Sequence, residues 1–367
     1  MILHLEDVRL AAERPTVLIV CNQDIRAEYL TQKDLDRLHT FADWEWLQSE
    51  GGTGFGANDD PAAIARLVER ASDVDAIVVC HGAPRIDAAI MERAPRLRLI
   101  GELEGDRFAY RIDTEAAWER GIHTVDTTNG SSYPVAEWAL AMTILSLRNA
   151  GEQFRHMIEH QAYRRPTTDF GYAHGELYGK KVGLIGCGHI GRRLISFLKP
   201  FHCDIRVCDP YLPRELPDAL GFLLTSLHVV LSDSDAVVCL APLTPGTHRM
   251  IGRRELDLIQ PGAVFVNVSR GPIVDPTALI ERLSRGDIVA GLDVFDPEPI
   301  PADSPIKDLP NVFLSPHIAG VTAASRWCFF ELMVDELDRF FHDHQTLYDL
   351  LPRTIANRRG EPVPRVE

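Results

Sequence analysis

At 367 residues, 45% of them hydrophobic and 25% charged, the chain has the length of two cores and the balance of a globular protein. Its formal net charge of −15 sets an acidic surface against phosphate backbones and argues against nucleic-acid partners, and no stretch reaches the ~20 apolar residues that cross a bilayer. Seven cysteines, odd in number and scattered through apolar runs, read as free thiols of a reducing, cytoplasmic compartment, and no cluster has the spacing of a metal site. Residues 1–15 carry acidic side chains and no long apolar run, so they do not read as a signal peptide. Residues 16–21 read as a buried strand, 24–41 as helical and 44–47 as a second strand. Residues 51–60 form a glycine-rich loop, and Pro61 suits the first turn of a helix. Further strands are expected over 76–80, 97–101 and 124–126. Residues 135–147 are a helix apolar enough to be buried, and 151–180 read as a polar, irregular crossover. A second strand–helix series starts at Lys181 and runs to about Pro316, and a last helix covers 322–341. This alternation predicts an α/β protein of two domains with parallel sheets covered by helices.

The second series opens on Lys181-Val-Gly-Leu-Ile-Gly-Cys-Gly-His-Ile-Gly191, which spells GxGxxG at Gly186, Gly188 and Gly191. The hexapeptide alone is a weak signal. Here an apolar strand feeds it, a helix over 192–198 leaves it, and a strand over 204–208 ends at Asp209, eighteen residues after Gly191. In such a motif the first glycine makes the tight turn, the second lets the pyrophosphate approach and the third lets helix and strand pack. The helix N-terminus offers N–H groups and a positive dipole to the phosphates. An aspartate at position 209 accepts from the ribose hydroxyls and repels a 2′-phosphate, which favours NAD over NADP; Arg206 and Arg214 lie close enough in sequence to leave that preference open.

Three later segments put chemistry at strand ends: Arg270 after 264–269, Asp293 and Glu298 after 289–292, and His317 after 311–316. Singly, each has an ordinary reading as a surface arginine, a turn residue or a core histidine. Together they resemble the strand-end residues of the D-isomer-specific 2-hydroxyacid dehydrogenases, a resemblance that implies reduction of a 2-keto acid. A histidine can donate the proton near neutral pH, a carboxylate beside it favours the imidazolium and fixes the ring, and an arginine can polarise the carbonyl and hold the substrate carboxylate.

These segments resemble the D-isomer-specific 2-hydroxyacid dehydrogenases over roughly residues 85–350, through GLIGCGHIG at 183–191, Asp209-Pro210, APLTPGT at 241–247, NVSRGPIVD at 267–275, LDVFDPEP at 292–299 and SPHIAG at 315–320. The resemblance implies a Rossmann NAD-binding domain over 149–321 and a discontinuous, flavodoxin-like substrate domain over 1–148 and 322–367. It implies Arg270, Glu298 and His317 as the catalytic set. It places NAD contacts at Gly186, Gly188, His189, Ile190, Gly191, Asp209, Pro242, Thr247, Val268, Ser269, Arg270, Asp293, His317 and Gly320, with Asp293 facing the nicotinamide amide, and implies a homodimer acting on a small 2-hydroxy or 2-keto acid.

The stretch over 101–113 departs from the family's glycine-rich pattern, being about two residues longer and carrying Glu102, Glu104, Arg107, Tyr110 and Arg111. One reading is a lengthened surface loop with solvated charges. The other is a reshaped pocket in which His81, Gly82, Ala83, Glu104 and Gly105 join Arg270 and His317 in holding substrate. Two glutamates there would disfavour a phosphorylated acid and could bind hydroxyls. An NAD-sensing interaction protein of the co-repressor type, another enzyme on the same scaffold, and a pseudoenzyme stay open as alternatives.

Overall fold

The computed structural model describes residues 14–51, 56–159 and 175–361. The N-terminal segment through residue 13, part of the glycine-rich loop and half of the expected crossover lie outside these. The chain divides into two compact units, residues 1–130 with 326–355, and residues 131–325 with 356–367. Among the described residues no helix is long and apolar enough to cross a membrane.

In the first unit five strands form one parallel sheet in the order β2-β1-β3-β4-β5: β1 Thr16–Cys21, β2 Asp43–Gln48, β3 Ala76–Val79, β4 Leu99–Glu102 and β5 His123–Asp126. That is the flavodoxin-like order, with its topological switch between β1 and β3. Alternate side chains cover the two faces. Leu18, Val20, Ile77, Val79 and Ile100 enter one core. Val17, Ile19, Val78 and Leu99 enter the other, which the returning helix Ala323–Phe341 supplies with Phe329, Phe330, Met333, Val334 and Leu337. The helical span expected over 24–41 is two helices, Gln23–Glu28 and Gln32–Phe41, because Thr31 accepts from Asp34 N–H and starts a new cap.

In the second unit seven parallel strands take the order β12-β11-β10-β9-β6-β7-β8: β6 Lys181–Ile185, β7 Asp204–Cys208, β8 Leu223–Leu224, β9 Ala236–Cys239, β10 Val264–Asn267, β11 Val289–Leu292 and β12 Val312–Leu314. The strand order reverses between β6 and β9, as in a Rossmann fold, and the glycine motif follows β6 at that point.

The domain limits differ from those expected. The apolar helix Ser132–Leu147 groups with the second unit, because Ala136, Ala139 and Met142 are buried against its sheet and a Cβ on Gly291 of β11 would strike Ser146. Residues 322–325 and 356–361 also fall in that unit. The start of the expected crossover is a helix, Ala150–Ile158, seated so closely on β12 that a Cβ on Gly151 would meet Val312 O at 2.7 Å.

Candidate active site

The dinucleotide cradle is built as its spacing requires. Gly186 has φ +94°, and a Cβ there would lie 2.9 Å from the backbone of Ala241, so only glycine turns the chain. A Cβ on Gly191 would meet Gly186 O at 3.0 Å. A Cβ on Gly188 would meet nothing within 4 Å, so that backbone faces open space, as a position approached by a pyrophosphate must. The helix His189–Leu198 begins there with its first N–H groups pointing outward. Asp209 accepts from Cys187 N–H at 2.9 Å through one oxygen and from Tyr211 N–H at 2.9 Å through the other, which fixes the carboxylate at the end of β7. Arg206 does not approach it for a 2′-phosphate: it is buried and paired with Asp204 and Asp233 at 3.0 and 3.1 Å. These residues fit NAD. Thr247 is a brace of its loop, donating to Pro242 O at 2.6 Å and accepting from Thr244 N–H at 2.8 Å, while Pro242 is exposed and Val268 buried.

The three reactive side chains come from loops after β10, β11 and β12 of the same unit. His317 Nδ1 stands 2.5 Å from Glu298 Oε1, and Glu298 Oε2 accepts from Phe295 N–H at 3.3 Å. An ionised carboxylate can only accept, so Nδ1 carries the donated hydrogen and Nε2 is left for proton exchange. His317 has φ +53°, a left-handed conformation costing about 1–3 kcal/mol for a residue with a side chain. The turn is held by His317 N–H to Asp293 O at 2.9 Å and by Ile318 and Ala319 N–H to the Asp293 carboxylate at 3.1 and 3.0 Å.

Asp293 also receives Ser315 Oγ and Trp138 Nε1, and it has no exposed surface. Its carboxylate thus shapes the His317 turn. Sequence reading missed this role and that of Trp138, although a tryptophan N–H inside an apolar helix signals a buried acceptor. Arg270 is half-buried, its guanidinium donating to Ser269 O at 2.8 Å. Buried Asn267 holds the arginine turn, accepting from Ser269 N–H at 3.1 Å and donating to Arg270 O at 3.2 Å. Gly271 is pressed against Phe295, where a Cβ would lie 1.8 Å from the carbonyl oxygen, so the arginine turn rests directly on the loop leading to Glu298. Gly320 and Ser269 lie at the same strand ends.

The first unit carries its own polar group at the carboxyl edge of its sheet. Gly82 has φ +90° and approaches Ser49 O so closely that no side chain fits. Asn58 N–H closes the loop on Ala83 O at 3.0 Å. His81 lies 3.1 Å from Glu104 through Nε2 and 3.2 Å from Arg111 through Nδ1. The charges of 101–113 are not a solvated loop: Arg111 and Glu102 are wholly buried and paired at 2.8 Å, and Arg107 is buried against Asp126 O and Asp349 O, each at 2.9 Å. Glu102 is thus removed from the expected pocket. Gly105 packs on it, a Cβ there falling 2.4 Å from its carboxylate. Glu104 remains partly exposed.

Fold and site together define a dinucleotide-dependent oxidoreductase. The model of the D-isomer specific 2-hydroxyacid dehydrogenase NAD-binding domain matches residues 140–319. The chain is 34% identical over 303 residues to a glyoxylate reductase of Pyrococcus furiosus, covering 80% of this chain and 85% of that protein. It is 34% identical over 258 residues to a D-3-phosphoglycerate dehydrogenase of Methanocaldococcus jannaschii, covering 70% of this chain but 48% of that one, so it spans about half that relative's length. A phosphoglycerate oxidoreductase from Rhizobium etli superposes with a TM-score of 0.77 at 26% identity, over 92% of this chain and 98% of that one. The chain belongs to the D-isomer specific 2-hydroxyacid dehydrogenases, NAD-dependent oxidoreductases of small 2-hydroxy and 2-keto acids.

Proposed function

We propose that the protein interconverts a non-phosphorylated 2-keto acid and its D-2-hydroxy acid, with His317 as acid and base, Glu298 as its orienting carboxylate and Arg270 as the substrate-binding cation. The pairing of His317 Nδ1 with Glu298 at 2.5 Å carries this reading, since it leaves Nε2 as the proton-exchanging atom. The bound nicotinamide supplies the hydride in reduction and accepts it in oxidation. Arg270 draws electron density toward the carbonyl oxygen and fixes the carboxylate beside it. His317 Nε2–H gives its proton to that oxygen, and in the opposite direction the neutral Nε2 takes it back. Glu298 balances the imidazolium whenever it forms and holds the ring's orientation in both states.

The names of the relatives support glyoxylate-type acids. The partly exposed carboxylate of Glu104, at the carboxyl edge of the first unit's sheet, is a poor neighbour for a phosphate. Phe154, Met157 and Ile158, exposed on one helix, support a homodimer, and the seven free cysteines support a cytoplasmic setting.

NADH oxidation is to be followed with glyoxylate, pyruvate, hydroxypyruvate and sugar-derived 2-keto acids, alongside His317→Ala. Turnover by the native protein that falls about 10²–10⁴-fold in the variant is expected. Tight NADH binding without turnover of any acid would move the reading to the NAD-sensing alternative.

A further inference from the structure

The helix Ser132–Leu147 carries one tryptophan in an otherwise mostly apolar run, and an indole N–H drawn into such a setting needs an acceptor. Val135, Trp138, Met142 and Ser146 recur at helical spacing and form one stripe. That stripe backs β11 and the segment that follows β12. A Cβ on Gly291 of β11 would fall 2.6 Å from Ser146 Oγ and 3.3 Å from Met142 Cε, and a Cβ on Gly320 would meet Val135 Cγ2 at 3.4 Å. Trp138 stands between these contacts, half-buried, and packs on the same core.

An indole nitrogen can only donate. Trp138 Nε1–H is shared between Ser315 Oγ at 3.1 Å and Asp293 Oδ1 at 3.3 Å, and the Ser315 hydroxyl donates to that same Asp293 oxygen. Because Ser315 accepts from the indole, its own hydrogen is directed at Asp293, so the serine is fixed in direction as well as in place. Ile318 N–H reaches Asp293 Oδ1 at 3.1 Å and Ala319 N–H reaches Oδ2 at 3.0 Å. Two side-chain donors thus hold the carboxylate, and two main-chain donors of the catalytic turn hang from it. The turn needs such a hold: His317 sits at φ +53°, which a residue with a side chain does not favour. Without the indole N–H, Asp293 Oδ1 loses one of these donors and Ser315 loses what directs its hydroxyl.

We propose that Trp138 is a positioning residue for the reaction: its N–H orders Ser315 and Asp293, and through them aims His317 at Glu298. The assignment rests on the dehydrogenase reading above. A tryptophan that only filled space would make the opposite demand on its replacements. Phenylalanine keeps more of the ring volume and has no donor. Histidine loses the six-membered ring, but its Nε2 takes the ring position of the indole nitrogen and can carry the same hydrogen.

The experiment measures kcat and KM at saturating NADH in the native protein, Trp138→Phe and Trp138→His, with the 2-keto acid that the native protein reduces best. Trp138→Phe should lose about tenfold in kcat, the effect of one hydrogen bond among several on a carboxylate, with KM for the keto acid changed much less. Trp138→His should recover most of that loss. Native kcat in Trp138→Phe, a loss confined to KM, or a loss in Trp138→His as large as that in Trp138→Phe overturns the assignment while the dehydrogenase reading stands. Native failure to reduce any 2-keto acid overturns both. Should the Trp138 variants not fold, Ser315→Ala decides: it removes the hydroxyl between the indole and Asp293 and should lower kcat by a similar factor, and native kcat there overturns the assignment.

Discussion

Removing the charge of Glu298 while keeping its shape isolates what the carboxylate does for His317. In Glu298→Gln the amide oxygen can still accept from Nδ1–H, so the ring keeps its tautomer, and only the long bond from Phe295 N–H at 3.3 Å is lost. The imidazolium that forms as the proton is exchanged then has only a neutral partner. Hydrogen bonds to charged groups contribute about 1.5–3 kcal/mol, against roughly 0.5–1.5 for neutral ones. The variant should therefore lose about ten- to a hundredfold in kcat, with KM for the keto acid changed much less, because the loss falls on a charge that develops during the reaction. Steady-state kinetics at saturating NADH check this. Equal kcat in both proteins would mean that the carboxylate only fills space. The histidine, the arginine and this glutamate stood out in the sequence because each sits in the loop after an apolar strand within a motif that resembles the family. Asp293 was legible as a strand-end residue, but its hold on the His317 turn was not, since nothing in its spacing shows which N–H groups its carboxylate accepts from.

At the scale of elements, the strands were readable because runs such as 76–79 and 236–239 are wholly buried, so every position had to be apolar. The helix Ala150–Ile158 was not: its apolar residues Ala150, Phe154, Met157 and Ile158 keep helical spacing, but the run is only nine residues long and opens a polar stretch that read as irregular. Arg107, Arg111 and Glu102 read as surface charge for a related reason: a buried ion pair joins residues by space and leaves no period along the chain. The glycine loop after β6 was fully legible, and its glycines are now separable. Gly186→Ala forces a side chain into φ +94° and into the backbone of Ala241. It should cost about 1–3 kcal/mol of stability in the unliganded protein. Gly188→Ala adds a methyl group to open space. It should leave the unliganded melting temperature nearly unchanged while weakening NADH binding about tenfold or more. Thermal melts with and without NADH separate the two, and a stability loss in Gly188→Ala equal to that in Gly186→Ala would defeat the distinction.

Across the whole molecule, stability should carry a pH dependence that begins at one buried group. Burial, and then the charge of Asp126, push the Glu102 carboxyl up to about 7, against the pull of Arg111 at 2.8 Å. Between the ordinary value of 4.5 and 7, the folded chain holds a proton that the unfolded chain has released. The stabilisation from this group is thus complete below the ordinary carboxylate value and is lost as pH rises through 7, amounting to on the order of 3 kcal/mol. Glu104, shifted the other way, loses its contribution only as pH falls below the ordinary range, outside this window. The remaining ionisable groups are shared by native and variant proteins, so a comparison with Glu102→Gln cancels them. Four of the five tryptophans, Trp44, Trp46, Trp118 and Trp327, belong to the first unit, so intrinsic fluorescence during urea unfolding reports mainly on it. The native midpoint should fall between pH 5 and pH 8 by more than that of Glu102→Gln. Equal slopes in the two proteins would mean that Glu102 is ionised throughout and that the Arg111 pair, not a retained proton, resolves the burial of its charge.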